Sequence, residues 1–209
     1  MEYRKFGSSG IKVSPICLGT AFRGEPEEGV CLDIIDRAID HGVNFVDCAN
    51  GYQSGRCERI VGRALKGKRE QVVLTTKVSS AMGDGPNDTG LSRFHILREV
   101  ENSLDRLQTD YVDVYLAHSI DASTPIEESL RAFDDIVRQG KARYIGCSNF
   151  RAWQVCKALW TSERRGLTPF ICVQDHYNLL DRRLEREMVP LCQSEGLGIM
   201  SYSATAVGL

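Results

Sequence analysis

The 209 residues carry 26 Lys and Arg against 28 Asp and Glu, a formal net charge of −2, with 42% hydrophobic side chains. That length and balance fit one globular domain or a large part of one, and offer no basic stripe for nucleic acid or an anionic membrane. No apolar run reaches the ~18–20 residues of a membrane helix, and Met1–Phe6 lacks a signal-peptide core, so a cytoplasmic protein is expected.

The eight cysteines show no C-x-x-C spacing and mostly fall in apolar segments. They read as buried thiols in a reducing compartment, with no zinc site.

The chain opens on Phe6-Gly7-Ser8-Ser9-Gly10-Ile11, an apolar–turn–apolar pattern expected to form a β-hairpin capping a larger fold. From residue 27, apolar strands and amphipathic helices alternate. The strands are expected at Ile16–Leu18, Asn44–Ala49, Val72–Val78, Tyr111–His118, Ala142–Ser148, Ile171–Tyr177 and Gly198–Ser203. Most successive starts lie about 30 residues apart, the size of a βαβ unit.

Two helices are plainly striped. Leu97, Val100, Leu104 and Leu107 place a helix over Arg93–Leu107, and Ile126, Leu130, Phe133 and Val137 place one over Ile126–Arg138. Thr124-Pro125-Ile126-Glu127 reads as an N-cap, a first-turn proline and a capping-box glutamate. Gly42, Gly67, Gly140, Gly166 and Gly196 follow helical segments, where left-handed C-caps are expected.

Strict alternation implies a parallel sheet, either open or closed as a barrel. The first strand runs into Leu18-Gly19-Thr20-Ala21-Phe22 without the G-x-G-x-x-G turn of open dinucleotide-binding sheets. Polar residues instead end several strands, which favours a (β/α)8 TIM-type barrel. Seven strands are counted, so the expected domain over 1–209 lacks the last strand and its helices. The first and seventh strands are left with open edges, at which a second copy could pair.

Asp47 ends one apolar strand and Tyr52 follows in the loop. Lys77 sits in Val72-Val73-Leu74-Thr75-Thr76-Lys77, and His118 ends another strand. Each alone is more often a turn, packing or structural residue. Together, at neighbouring strand ends, they converge on one rim. A buried lysine needs an anion, which Asp47 can supply. A cation beside Tyr52 is expected to lower the phenol's pKa and make it a proton donor near pH 7. His118 can orient a carbonyl oxygen. None of the four is an electron source, so a hydride would come from a cofactor.

Three segments together resemble the aldo-keto reductase superfamily: Asp47-Cys48-Ala49-Asn50-Gly51-Tyr52, Tyr111-Val112-Asp113-Val114-Tyr115-Leu116-Ala117-His118, and Gly140-Lys141-Ala142-Arg143-Tyr144-Ile145-Gly146-Cys147-Ser148-Asn149-Phe150. The resemblance implies NAD(P)H-dependent reduction of small aldehydes or ketones. Tyr52 would be the general acid, Lys77 and Asp47 its tuning pair, and His118 the carbonyl guide. It also implies cofactor contacts at Gly19, Thr20, Asp47, Ser148, Asn149, Gln174, Tyr202 and Ser203, with the nicotinamide stacked on Tyr202.

Gly90-Leu91-Ser92-Arg93, Arg106-Leu107-Gln108-Thr109-Asp110-Tyr111 and Tyr177-Asn178-Leu179-Leu180-Asp181-Arg182 resemble the aryl-alcohol dehydrogenase-like and potassium-channel β-subunit-like branch. That leaves a non-catalytic cofactor sensor, or an inactive short form, as the alternative to a reductase. Ala204-Thr205 replaces the family's usual Pro-Leu. NADP(H) is implied ahead of NAD(H), although the family's segment for the adenosine 2′-phosphate lies beyond residue 209.

Overall fold

The computed structural model describes residues 1–24 and 26–206. Arg4–Lys5 (β1) and Lys12–Val13 (β2) pair as an antiparallel hairpin. Seven parallel strands follow: Leu18–Gly19 (β3), Phe45–Asp47 (β4), Val73–Val78 (β5), Val112–Ala117 (β6), Ala142–Ser148 (β7), Phe170–His176 (β8) and Gly198–Tyr202 (β9). Each pairs with the next in chain order. Between them lie α1 (Glu28–Asp40), α2 (Arg56–Ala64), α3 (Arg93–Leu107), α4 (Ile126–Arg138), α5 (Ala152–Arg165) and α6 (Met188–Glu195). The result is a curled partial barrel with helices outside, and β3 and β9 are its edges among the described residues.

Period-two alternation divides the strands into two apolar layers. Phe45, Val114, Leu116, Cys172 and Met200 form the inner layer, joined by Phe6 of the hairpin. Phe6 stacks edge-on against Phe45, with ring centroids 5.2 Å apart, and Ser8 N–H donates to Gly196 O at 2.7 Å. The hairpin therefore plugs the barrel at the amino ends of its strands, as its sequence led us to expect. Val46, Leu74, Tyr115, Ile145 and Val173 face the helices, which return the apolar stripes read from the sequence.

Three expectations are corrected. The first strand lies at Leu18–Gly19, because Ser14 and Asn44 tie the preceding segment by side-chain hydrogen bonds instead of a ladder. Thr124 does not cap α4. Its hydroxyl donates to Asp121 Oδ2 at 2.7 Å, and Pro125 occupies the N-cap position. Glu127 then pairs with Arg131 and Arg165 rather than closing a capping box. Helix α3 ends at Leu107 as expected, and its C-cap Gln108 takes the left-handed backbone (φ 54°) without a glycine.

Phe133 on α4 is fully buried between Tyr115 and Phe170, whereas Phe94 on α3 is 61% exposed. Phe133→Ala should cost about 3–5 kcal/mol of unfolding free energy, and Phe94→Ala no more than about 1 kcal/mol. Urea denaturation of the two variants checks the contrast.

Candidate active site

The carboxyl ends of the strands open on a cleft of about 670 Å³, a typical size for a small-molecule site. Asp47, Tyr52, His118, Ser148, Asn149, Gln174, Tyr202, Ser203 and Gly19 all line it. These nine of the sequence-based residues thus converge, although they come from six different strands and the loops beyond them.

Lys77 is fully buried at the centre. Its Nζ donates to Asp47 Oδ2 at 2.7 Å, to Cys48 O at 2.7 Å and to Tyr52 Oη at 3.0 Å. An ammonium has three hydrogens and no acceptor. All three are used, so the lysine can remain charged without water. Burial alone would pull its pKa down, but Asp47 and the Tyr52 hydroxyl outweigh that and hold it above the ordinary value.

Asp47 is held on all sides. Its Oδ1 accepts from Thr75 Oγ1 at 2.6 Å and from Gln174 Nε2 at 3.0 Å. The latter bond crosses the barrel from β8. Thr20 is buried, and both its N–H and its hydroxyl donate to Asp47 O at 2.9 Å. It therefore supports Asp47 from behind and is not part of the cleft lining, unlike the cofactor contact expected for it.

The expected lowering of the Tyr52 pKa is corrected. Burial raises the phenol above its ordinary value, Lys77 only partly reverses this, and Asp47 raises it again by neutralising the lysine. Tyr52 is therefore an un-ionised phenol at neutral pH. Because Lys77 can only donate, Tyr52 Oη accepts from it and its own hydrogen is left for the cleft.

His118 packs edge-on to Tyr52, with centroids 5.8 Å apart. Burial and the nearby Lys77 charge lower its pKa from 6.5 to about 4. The imidazole is neutral at pH 7 and has one N–H to offer. Its Nδ1 is buried without a partner among the described residues.

The amide groups divide differently from expectation. Both N–H bonds of Asn149 are engaged, with His118 O and Ser148 Oγ, and its Oδ1 accepts from Tyr202 Oη at 2.8 Å. Asn149 thus braces the rim. Its left-handed backbone (φ 59°) is fixed by Asp175 Oδ1, which accepts its N–H at 3.0 Å. The Ser148 hydroxyl hydrogen and Gln174 Oε1 have no partner among the described residues, which leaves one donor and one acceptor on the cleft wall.

Phe22, Gln53 and Ser203 also adopt left-handed backbone around this cleft, an accumulation of strain seen at functional sites. Gln53 Nε2 donates to Phe22 O at 2.7 Å and clips the loop after β3 to the Tyr52 turn. Sequence reading missed Ala21, Phe22 and Arg23, which line the cleft from a loop without a chemical motif. It also missed Asp175. Burial pushes that carboxyl up to about 6, and its Oδ2 is buried without a partner among the described residues. The acidic residue beside Gln174 at a strand end was the available signal.

No helix among the described residues is long and apolar enough to cross a membrane, and no group of three metal-ligating side chains occurs among them. Burial pushes the Cys57 and Cys192 thiols up to about 11, so both stay protonated.

The model of the Aldo/keto reductase family matches residues 15–209. The chain is 42% identical over its whole length to the uncharacterized oxidoreductase YrpG of Bacillus subtilis, covering 68% of that protein. It is 39% identical to versiconal hemiacetal acetate reductase of Aspergillus parasiticus, again covering 68%. A probable voltage-gated potassium channel subunit beta of Arabidopsis thaliana is 40% identical, with 65% of it covered. The chain therefore spans about two thirds of the length of these relatives.

The His118 titration carries a sign that can be tested. Its folded pKa, about 4, lies below the ordinary 6.5, so the unfolded chain binds the proton first as pH falls. The stability His118 contributes is present above about pH 6.5 and is lost progressively down to about 4. Asp175, raised from 3.8 to about 6, works in the opposite sense and contributes stability that is lost as pH rises through about 6. The unfolding free energy of the parent minus that of His118→Gln should therefore shrink as pH falls from about 6.5 to about 4. Denaturation series at several pH values measure that difference.

Proposed function

From the membership of this chain in the aldo/keto reductase family, we propose that it is a nicotinamide-dependent oxidoreductase that reduces small aldehydes or ketones to alcohols, with Tyr52 as general acid. The observation that carries this reading is the hydrogen-bond geometry at Lys77. Three acceptors saturate the ammonium, and one of them is Tyr52 Oη, which leaves the phenol hydrogen as the donor directed away from the lysine.

A primary carboxamide fits the cleft wall. The Ser148 hydroxyl can donate to its oxygen and Gln174 Oε1 can accept from its nitrogen. Tyr202, 37% exposed at the rim, offers a ring face for the nicotinamide. Ser203 and Gly19 flank it. Bound there, reduced nicotinamide supplies the hydride that the side chains cannot.

The chain's own residues do the rest. A substrate carbonyl oxygen accepts from Tyr52 Oη–H and from the single N–H of neutral His118. As negative charge grows on that oxygen, Tyr52 passes its proton to it, and the alcohol forms. The phenolate left behind sits against the Lys77 ammonium, and Asp47 keeps that ammonium in place. The raised pKa of Tyr52 keeps the proton on it until the oxyanion claims it. Closing the cycle requires proton uptake from solvent.

NADP(H) is the proposed cofactor ahead of NAD(H). Titrating protein fluorescence with each in turn should show tighter binding of the phosphorylated form.

Tyr52→Phe should lower kcat by at least about 10²-fold while cofactor affinity is retained, because it removes one hydroxyl and no cofactor contact. The measurement is steady-state oxidation of the reduced cofactor with an aromatic aldehyde, beside the fluorescence titration. Normal turnover by this variant would exclude Tyr52 as the acid.

A further inference from the structure

Behind the cleft, on the helix side of the sheet, lies a charged cluster that the proposed reaction does not use. Arg106 on α3 donates from Nε to Glu58 on α2 at 2.6 Å, and from a terminal nitrogen to Glu99 on α3 at 3.3 Å. Glu58 is fully buried and Glu99 is 2% exposed.

Each carboxylate reaches one half of the catalytic set. Glu58 Oε1 accepts from Thr76 Oγ1 at 2.5 Å, and Thr76 precedes Lys77. Strand alternation turns Lys77 into the barrel and Thr76 out toward α2 and α3. Glu99 Oε2 accepts from Asn50 Nδ2 at 3.1 Å, two residues before Tyr52. One guanidinium thus joins the strand that carries the lysine to the turn that carries the tyrosine.

Arg106 and Glu99 are charged despite their burial. Burial alone would pull the Arg106 pKa down, but Glu58 and Glu99 outweigh it and raise the net value. Burial likewise pushes Glu99 up, and the hydrogen bonds from Asn102, Asn50 and Arg106 more than reverse it. Buried charges of this kind are tolerated only in tightly defined geometry.

The backbone is fitted to the arginine. At Gly55 (φ +83°), where the Tyr52 turn enters α2, an added Cβ would lie 2.6 Å from Arg106 Cδ. At Gly62 an added Cβ would lie 2.6 Å from the Leu107 carbonyl, which fixes α2 against α3.

We propose that Arg106, through Glu58 and Glu99, is a positioning residue that sets the Tyr52 hydroxyl on the Lys77 ammonium. This rests on the reading of Tyr52 as the acid. Arg106 touches neither the cleft nor the reacting atoms. Its effect passes through Thr76 and Asn50.

The test uses the protein at its natural length, with reduced nicotinamide cofactor and an aromatic aldehyde. Asn50→Ala breaks one link and leaves the ion pairs intact, so it reports even if Arg106 variants fold poorly. Its kcat should fall by about 10²-fold, as expected for a displacement near 1 Å. Its KM and its cofactor dissociation constant should stay within about twofold. The limb of the pH–kcat profile that belongs to Tyr52 should move as well. Arg106→Lys, which can reach only one carboxylate, should retain more kcat than Arg106→Met.

A folded Asn50→Ala protein with parental kcat and an unmoved pH profile would overturn the proposal, as would a fall in kcat matched by lost cofactor affinity. Tyr52→Phe separates the two levels. If that variant is inactive while Asn50→Ala is fully active, only the positioning role fails. If Tyr52→Phe itself turns over normally, the acid assignment fails and takes the positioning role with it.

Discussion

A lysine ammonium with no exposure to water is the constraint around which this protein is organised. Such a group survives only if each hydrogen finds an acceptor and an anion lies close. Asp47, Cys48 O and Tyr52 Oη meet that demand. Meeting it fixes the ends of β4 and β5 relative to each other and draws the turn after β4 inward. Asp47 in turn needs Thr75, Gln174 and the backbone contact from Thr20, so β3 and β8 are committed as well. The chemistry proposed for the cleft uses the one hydrogen this arrangement leaves over.

The electrostatics follow from the same burial. Lys77 and Asp47 largely cancel, so Tyr52 sees less of a cation than its distance from Nζ suggests, and desolvation decides its titration. His118 responds to burial and to the lysine in the same direction and becomes neutral. Both groups therefore present neutral X–H donors to the cleft at pH 7. That suits stabilisation of a developing alkoxide better than two fixed charges would, because the donors gain most when the negative charge appears.

Much of this was legible in the sequence. The striped helices over Arg93–Leu107 and Ile126–Arg138 carry enough period-3.6 signal to fix even their ends. The strand Ala142–Ser148 was likewise bounded by its residues. Lys77 announced itself as a charge in an apolar run, and the need for a counter-ion led to Asp47. What failed depended on contacts between distant segments. The start of the short β3 is set through Ser14, which is tied to Asn44 thirty residues on. Thr124 was taken by Asp121. The sign of the Tyr52 shift required weighing burial against two opposed charges, and no local pattern encodes burial. The bonds that hold Asn149 were equally hidden, since its partners Tyr202 and Asp175 arrive from other strands.

The strand order has a consequence for how the molecule forms. Every pairing in the sheet joins neighbours in the chain, so each βαβ step can form locally before the next exists. The bond from Gln174 to Asp47 breaks that pattern, since it spans 127 residues. It requires the accumulated curl of five strands, from β4 to β8, before its two ends can meet. Loop-closure entropy is repaid there all at once, late in assembly. The order in which the ribosome delivers the chain therefore puts this closure after β8 is made, and a nascent polypeptide carries its lysine well before it can shape a place to react.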